Sequence, residues 1–88
     1  MANSKTARKR IRIAESRRLR NRPYRTAART FVKKAEAAIR AGDQTVAQAA
    51  VVDAISMLDR VASKGIIHKN NAARRKSRLM AKLNRAAA

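Results

Sequence analysis

Residues 42–65, GDQTVAQAAVVDAISMLDRVASKG, decide the fold. A glycine stands at each end of this stretch, and the chain has no others. Gly42 follows a run of helix formers and precedes Asp43, which is the order of a helix-ending glycine and then an N-cap. Gly65 follows Arg60-Val61-Ala62-Ser63-Lys64 and reads as a second helix-ending glycine. Between the glycines the apolar residues fall in two adjacent rows. Val46, Ala50, Ala54, Met57 and Val61 form one, and Ala47, Val51, Ile55, Leu58 and Ala62 form the next. A helix with so wide an apolar face touches two neighbours rather than one.

Both neighbours can be read on either side of the stretch. Upstream, Ala28, Phe31, Val32, Ala35, Ala38 and Ile39 make a helical stripe. Downstream, Ala72, Leu79, Met80 and Leu83 make another, with Ile66 and Ile67 at its entrance. Met57, Leu58 and Met80 are expected in the core. The predicted helices span 4–41, 44–63 and 67–86, and short connections at the glycines make them antiparallel. No Asn-Gly or Asp-Gly pair separates alternating runs, so hairpins are not suggested. The fold class is therefore all-α: an antiparallel three-helix bundle with a small, Ala-rich core. Its long, basic first helix extends beyond the bundle.

That first helix would be about 57 Å long if continuous. Pro23 lies inside it, removes one backbone donor and crowds the carbonyl of Leu19, so a kink or a break near Arg22 is expected. Residues 1–22 have no internal partners for their like charges. They are expected to fray in the free chain and to become helical on a polyanion.

Charge is distributed unevenly. The 88 residues hold 23 Lys/Arg against 5 Asp/Glu, a formal charge of +18. Residues 1–34 carry a net +12, residues 35–63 a net −2 and residues 64–88 a net +8. Two basic blocks flank a near-neutral apolar middle, which points to a packed unit with a polyanion-binding surface at both ends. Along the first helix the basic residues point in nearly every direction. A helix lying on a membrane needs segregated faces, and residues 5–26 lack them. A rod that is basic all round suits a polyanion that surrounds it, such as a crevice between packed RNA helices. Each Arg can fork two donors onto phosphate oxygens there, and each Lys adds a point charge.

Several function classes fall away. With no cysteine there is no disulfide framework, thiolate zinc site, iron–sulfur cluster or cysteine nucleophile. One histidine and five scattered acids make neither a metal site nor an acid–base pair, so no enzyme, cofactor or small-molecule substrate is expected. The longest uninterrupted apolar run, Ala49 to Val52, is too short for a membrane span. The opening residues carry no apolar stretch of the kind a secretory signal needs. They are Arg-rich and acid-poor like a transit peptide, but Pro23 and the charge density oppose a free amphipathic helix. No helix-turn-helix, zinc-finger, zipper or aromatic stacking pattern is visible, so composition leaves DNA and RNA both open. His68 reads either as a surface or capping histidine or as a direct RNA contact. Asn70 and Asn71 either cap backbone donors or reach ribose and base edges.

At residues 64–79, KGIIHKNNAARRKSRL, the pattern becomes specific, above all in Lys64-Gly65-Ile66-Ile67-His68-Lys69-Asn70 followed by Ala72-Ala73-Arg74. Together with the opening MANSKTARKR, the Arg-rich stretch to Arg29 and the central FVKKAEAAIRAGDQTVAQAA, essentially the whole chain resembles the bacterial-type ribosomal small-subunit protein S-twenty family. One departure is Pro23-Tyr24, where helix-compatible residues would be expected. The resemblance implies a structural ribosomal protein that binds small-subunit (16S) ribosomal RNA directly, early in assembly and low in the body of the subunit. It implies the ribosomal small subunit as partner; no membrane partner and no self-association are expected. It also implies a cytoplasmic or chloroplast ribosome as the location. The domain reading is one unit over residues 1–88, with 1–26 as a basic RNA-inserting extension and 27–88 as the bundle core.

Carried onto this chain, the RNA surface on the first helix comprises Lys5, Arg8, Lys9, Arg10, Arg12, Arg17, Arg18, Arg20, Arg22, Arg25, Arg29 and Lys33. On the third helix it comprises His68, Lys69, Asn70, Arg74, Arg75, Lys76 and Arg78, with Ser4, Ser16 and Asn21 as lesser contacts. The rival reading is a nucleoid or histone-like DNA-compacting protein, equally basic and Ala-rich.

Overall fold

The computed structural model describes residues 4–87. Three helices account for nearly all of them: α1 over Lys5–Ala41, α2 over Gln44–Ser63 and α3 over Lys69–Ala87. The fold is an all-α, antiparallel three-helix bundle. α2 packs on both α1 and α3, and α1 and α3 also touch.

The helix ends follow from local chemistry. The Ser4 side chain accepts a hydrogen bond from the Ala7 N–H at 3.0 Å and starts α1. Gly42 ends it at φ 88°, a left-handed conformation that glycine adopts without a Cβ clash, and its N–H donates to the Ile39 carbonyl. Asp43 Oδ1 then accepts from the Thr45 and Val46 N–H groups at 3.1 and 3.3 Å, so one residue closes α1 and the next opens α2. At the far end of α2 the Gly65 N–H donates to the Ala62 carbonyl and the Ile66 N–H to the Val61 carbonyl. That pair of bonds is a Schellman motif, and its apolar partners Val61 and Ile66 are both buried. α3 begins at Lys69 rather than 67. The chain uses Ile66 and Ile67 to cross between helices, and His68 caps α3 by accepting the Asn70 N–H on Nδ1 at 3.1 Å.

The core is small. Ala28 and Ala35 of α1, Ala47, Val51, Ala54, Leu58 and Val61 of α2, Ile66, and Ala72, Leu79 and Leu83 of α3 are buried. Five of these eleven are alanine, which lets the helix axes approach closely. Ala50, Ile55, Met57 and Ala62 flank the inward row of α2 and are half-buried, as expected of a helix with two neighbours. Two expected core residues lie outside. Val46, in the first turn of α2, is 54% exposed, and Met80, beside the line of Ala72, Leu79 and Leu83, is 41% exposed.

α1 is one uninterrupted helix of 37 residues that runs through Pro23, so of the two expected alternatives, a kink or a break near Arg22, the break does not occur. Proline removes only one bond of the ladder here, and Leu19 and Pro23 are both exposed, so water can satisfy the orphaned carbonyl. A straight helix of this length measures about 56 Å, and the longest dimension of the molecule is 60 Å against 20 and 19 Å across. α1 is nearly twice the length of its partners, and its N-terminal half stands clear of them. The radius of gyration is accordingly 17.3 Å, where a compact chain of this length would have about 12 Å. Residues 5–22 are helical in the structure; residues 1–3, also expected to be unstructured when free, lie outside the described residues.

Candidate nucleic-acid interface

The free half of α1 is a cationic rod. From Lys5 to Arg20 every residue is exposed except half-buried Ala7. Lys5, Arg8, Lys9, Arg10, Arg12, Arg17, Arg18 and Arg20 occupy it, and at 100° per residue they cover its whole circumference. Ile11, Ile13 and Leu19 are exposed between them at 52%, 42% and 60%. The rod is kept helical by its Ser4 cap and by the helix propensity of Ala, Arg and Leu. Arg22, Arg25, Arg29 and Lys33 carry the exposed charge on along the bundle.

The second basic block sits on α3. Lys69, Asn70, Arg74 and Arg78 are exposed, as is His68 in the connection, whereas Arg75 and Lys76 are half-buried. Lys76 Nζ lies 2.7 Å from Asp59 Oδ1 of α2, so part of its charge is already engaged within the protein. Lys82 Nζ lies 3.0 Å from Glu36 Oε1 and joins α3 to α1. Arg75 Nε donates to Asn71 Oδ1 at 2.8 Å. Arg25 Nη2 donates to the Ile66 carbonyl at 3.3 Å. Packing thus brings Arg25, Arg29, His68 and Arg75 around one cleft, while Arg8 stands about 32 Å further along α1 from Arg29.

Two features escaped the sequence reading. Asn71 orients Arg75, and the signal was available as an i, i+4 Asn–Arg pair on a helix. Lys64 Nζ sits 5.1 Å from the centre of the Tyr24 ring, a cation–π contact that joins the connection to α1. Its partners are forty residues apart, so no local pattern announces it.

Of the five acids, Glu15 sits on the rod and Glu36 further along α1, and the other three belong to α2 or its cap. Asp43, Asp53 and Asp59 are exposed on α2 or at its start, together with Val46 and Val52. The outer face of α2 is therefore the least cationic side of the molecule. Among the described residues no polar or charged side chain is buried and no cluster of His, Asp and Glu could hold a metal ion. No described helix is long and apolar enough to cross a membrane.

Fold and charge map together define a class: a small, strongly cationic helical protein whose rod projects from a three-helix bundle. A sequence model of the family described as Ribosomal protein S20 matches residues 2–84. The chain belongs to that family. It is 58% identical over 84 residues to the small ribosomal subunit protein bS20 of Thermomicrobium roseum, covering 96% of this chain and 85% of that one. The protein of the same name from Roseiflexus is 58% identical over 88 residues, covering 100% of this chain and 96% of that one. Its namesake from Cellvibrio japonicus is 53% identical over 88 residues and is matched end to end on both sides.

Proposed function

We propose that this chain is a structural component of the small ribosomal subunit that binds 16S ribosomal RNA directly and holds its packed helices together. The observation that carries the reading is the rod of α1, exposed and basic on every side. An α-helix does not enter the deep, narrow major groove of A-form RNA, so such a rod fits a crevice between RNA helices, where phosphates meet it from several directions. Exposed guanidinium groups lose little on binding, because each exchanges water for a charge-assisted pair of hydrogen bonds. Family membership, and relatives named for the small subunit, support RNA over DNA as the polyanion.

In this reading residues 1–88 act as one unit. Residues 1–26 insert into RNA, and residues 27–88 supply a bundle that fixes the angle of entry. The interface comprises the basic residues of α1 from Lys5 to Lys33, with His68, Lys69, Asn70, Arg74, Arg75, Lys76 and Arg78. The role is architectural, with no catalytic step and no second copy of the chain, and the site of action is the ribosome in the cytoplasm. The test is a filter-binding comparison of folded small-subunit ribosomal RNA with duplex DNA at one salt concentration. Tighter binding to the RNA is expected. Equal or tighter binding to the duplex favours a DNA-compacting protein instead.

A further inference from the structure

A cleft of about 360 Å³ opens where α1, the 64–68 connection and the first turns of α3 meet. Its volume falls within the roughly 300–1,000 Å³ range of small-molecule sites. The floor is apolar: Ala28, Leu58 and Ile66 are buried and Ile67 is half-buried. The rim is cationic and polar. Arg25 and Arg29 stand one turn apart on α1, and His68, Asn71 and Arg75 line the opposite side.

Two contacts hold this rim in shape. Arg25 donates to the Ile66 carbonyl across the cleft, and Arg75 is anchored to Asn71 through Nε. An arginine held by Nε still carries four N–H donors on its two Nη atoms. Asn71 spends an acceptor lone pair on Arg75 and keeps its amide NH₂ as a donor. His68 is occupied at Nδ1 by its helix cap, which leaves the Nε2 edge of the ring.

Phosphates along a duplex would use the arginines of this rim but gain nothing from an apolar floor. A nucleotide that has left the stack uses both, because it brings a phosphate, an apolar base face and a polar base edge. RNA offers such nucleotides at bulges and loops, and proteins take them by apolar and guanidinium contact. We propose that this cleft receives one unpaired, extruded nucleotide of the bound RNA. Its phosphate is met by the arginines of the rim, its base lies on the apolar floor, and Asn71 donates to the base edge. The inference rests on the RNA-binding function proposed above, which by itself needs only backbone contacts.

The test is chemical footprinting of the full chain on a transcript of bacterial small-subunit ribosomal RNA. Hydroxyl radicals read the RNA backbone, and base-specific reagents read the edges of unpaired bases. The chain is expected to shield the edge of one unpaired nucleotide. At protein concentrations that saturate the backbone footprint of the rod, Asn71→Ala and Arg75→Ala should each lower the shielding of that base edge about tenfold, the scale of losing one hydrogen-bonded contact. Backbone protection by the rod should persist. Arg29→Ala, exposed and outside the core, should give the same pattern and keeps the test decisive if the other two variants fold poorly. Backbone protection without any shielded base edge overturns the cleft and leaves the RNA-binding function standing. Base protection that survives all folded variants also overturns it. Absence of both kinds of protection overturns the two proposals together.

Discussion

Leu58→Ala measures how far the bundle depends on a few large side chains. Leu58 is fully buried in α2, and with Leu79, Val51 and Val61 it is among the largest fully buried side chains in the molecule. Five of the eleven core residues are alanine, so few neighbours carry side-chain atoms that could move into the space it would leave. Truncation removes the transfer energy of its atoms and leaves a cavity, at a cost of roughly 3–4 kcal/mol. The whole chain is worth about 4–13 kcal/mol at the usual 0.05–0.15 kcal/mol per residue. At about 4–8 °C per kcal/mol the midpoint should fall by roughly 12–30 °C. The assay is thermal melting by circular dichroism without RNA, beside Val52→Ala as control. Val52 is 63% exposed, so its truncation should stay within about 0.5 kcal/mol of the parent. A shift below about 5 °C for Leu58→Ala, or an equal shift for Val52→Ala, would mean that α2 is rotated about its axis relative to the structure.

Other outcomes follow from the same geometry. The slope of log affinity for ribosomal RNA against log salt should be steep, on the order of −6 to −10 if ten or so phosphates are neutralised; a slope shallower than about −3 would make most of these cations bystanders. Arg74→Ala with Arg75→Ala should weaken RNA binding more per charge removed than Arg8→Ala with Lys9→Ala, because Arg75 is already oriented by Asn71 on a packed helix and loses less side-chain freedom on contact than the exposed cations of the rod. A titration of both variants at one salt concentration decides this, and an equal or larger loss from the Arg8/Lys9 pair refutes it. Pro23→Ala restores a donor to an exposed stretch of α1 and should stabilise helix there by up to about 3 kcal/mol, read as slower amide exchange over residues 19–27. Unchanged exchange would mean that the proline costs the rod nothing. Asp43→Ala removes the cap of α2 and should cost about 1 kcal/mol in urea unfolding, where no change would show that solvent serves the turn equally well.

The residues that announced the fold were those whose chemistry is local. Gly42, Asp43 and Gly65 fix helix ends through bonds to residues two to four positions away, so their meaning is written beside them. The start of α3 was harder to read because its cap is a histidine ring, outside the Ser, Thr, Asp and Asn set that usually marks an N-terminus. Val46 and Met80 share an apolar row with core residues, but a row does not say where a neighbouring helix turns away from it. Whether Pro23 breaks α1 or only bends it is not written in the sequence, because the cost of a lost backbone bond depends on whether water can reach the carbonyl, and exposure is a property of the fold. In the candidate interface, the residue types and their two blocks were legible as charge. The pairing of Lys76 with Asp59 and the meeting of Arg25 and Arg29 with Arg75 were not, because only the packing of the helices brings them together.

The uninterrupted α1 also sets a distance. A stiff connector holds its two ends at one spacing, about 32 Å between Arg8 and Arg29, where a flexible tail would sample many. Once the bundle end is engaged, the far end is presented to its own RNA site at a high effective concentration, but only if that site lies where the rod points. An RNA fold with the wrong separation forfeits the second contact entirely. The protein would then act as a gauge, adding stability to the arrangement of RNA helices that fits its length and withholding it from others.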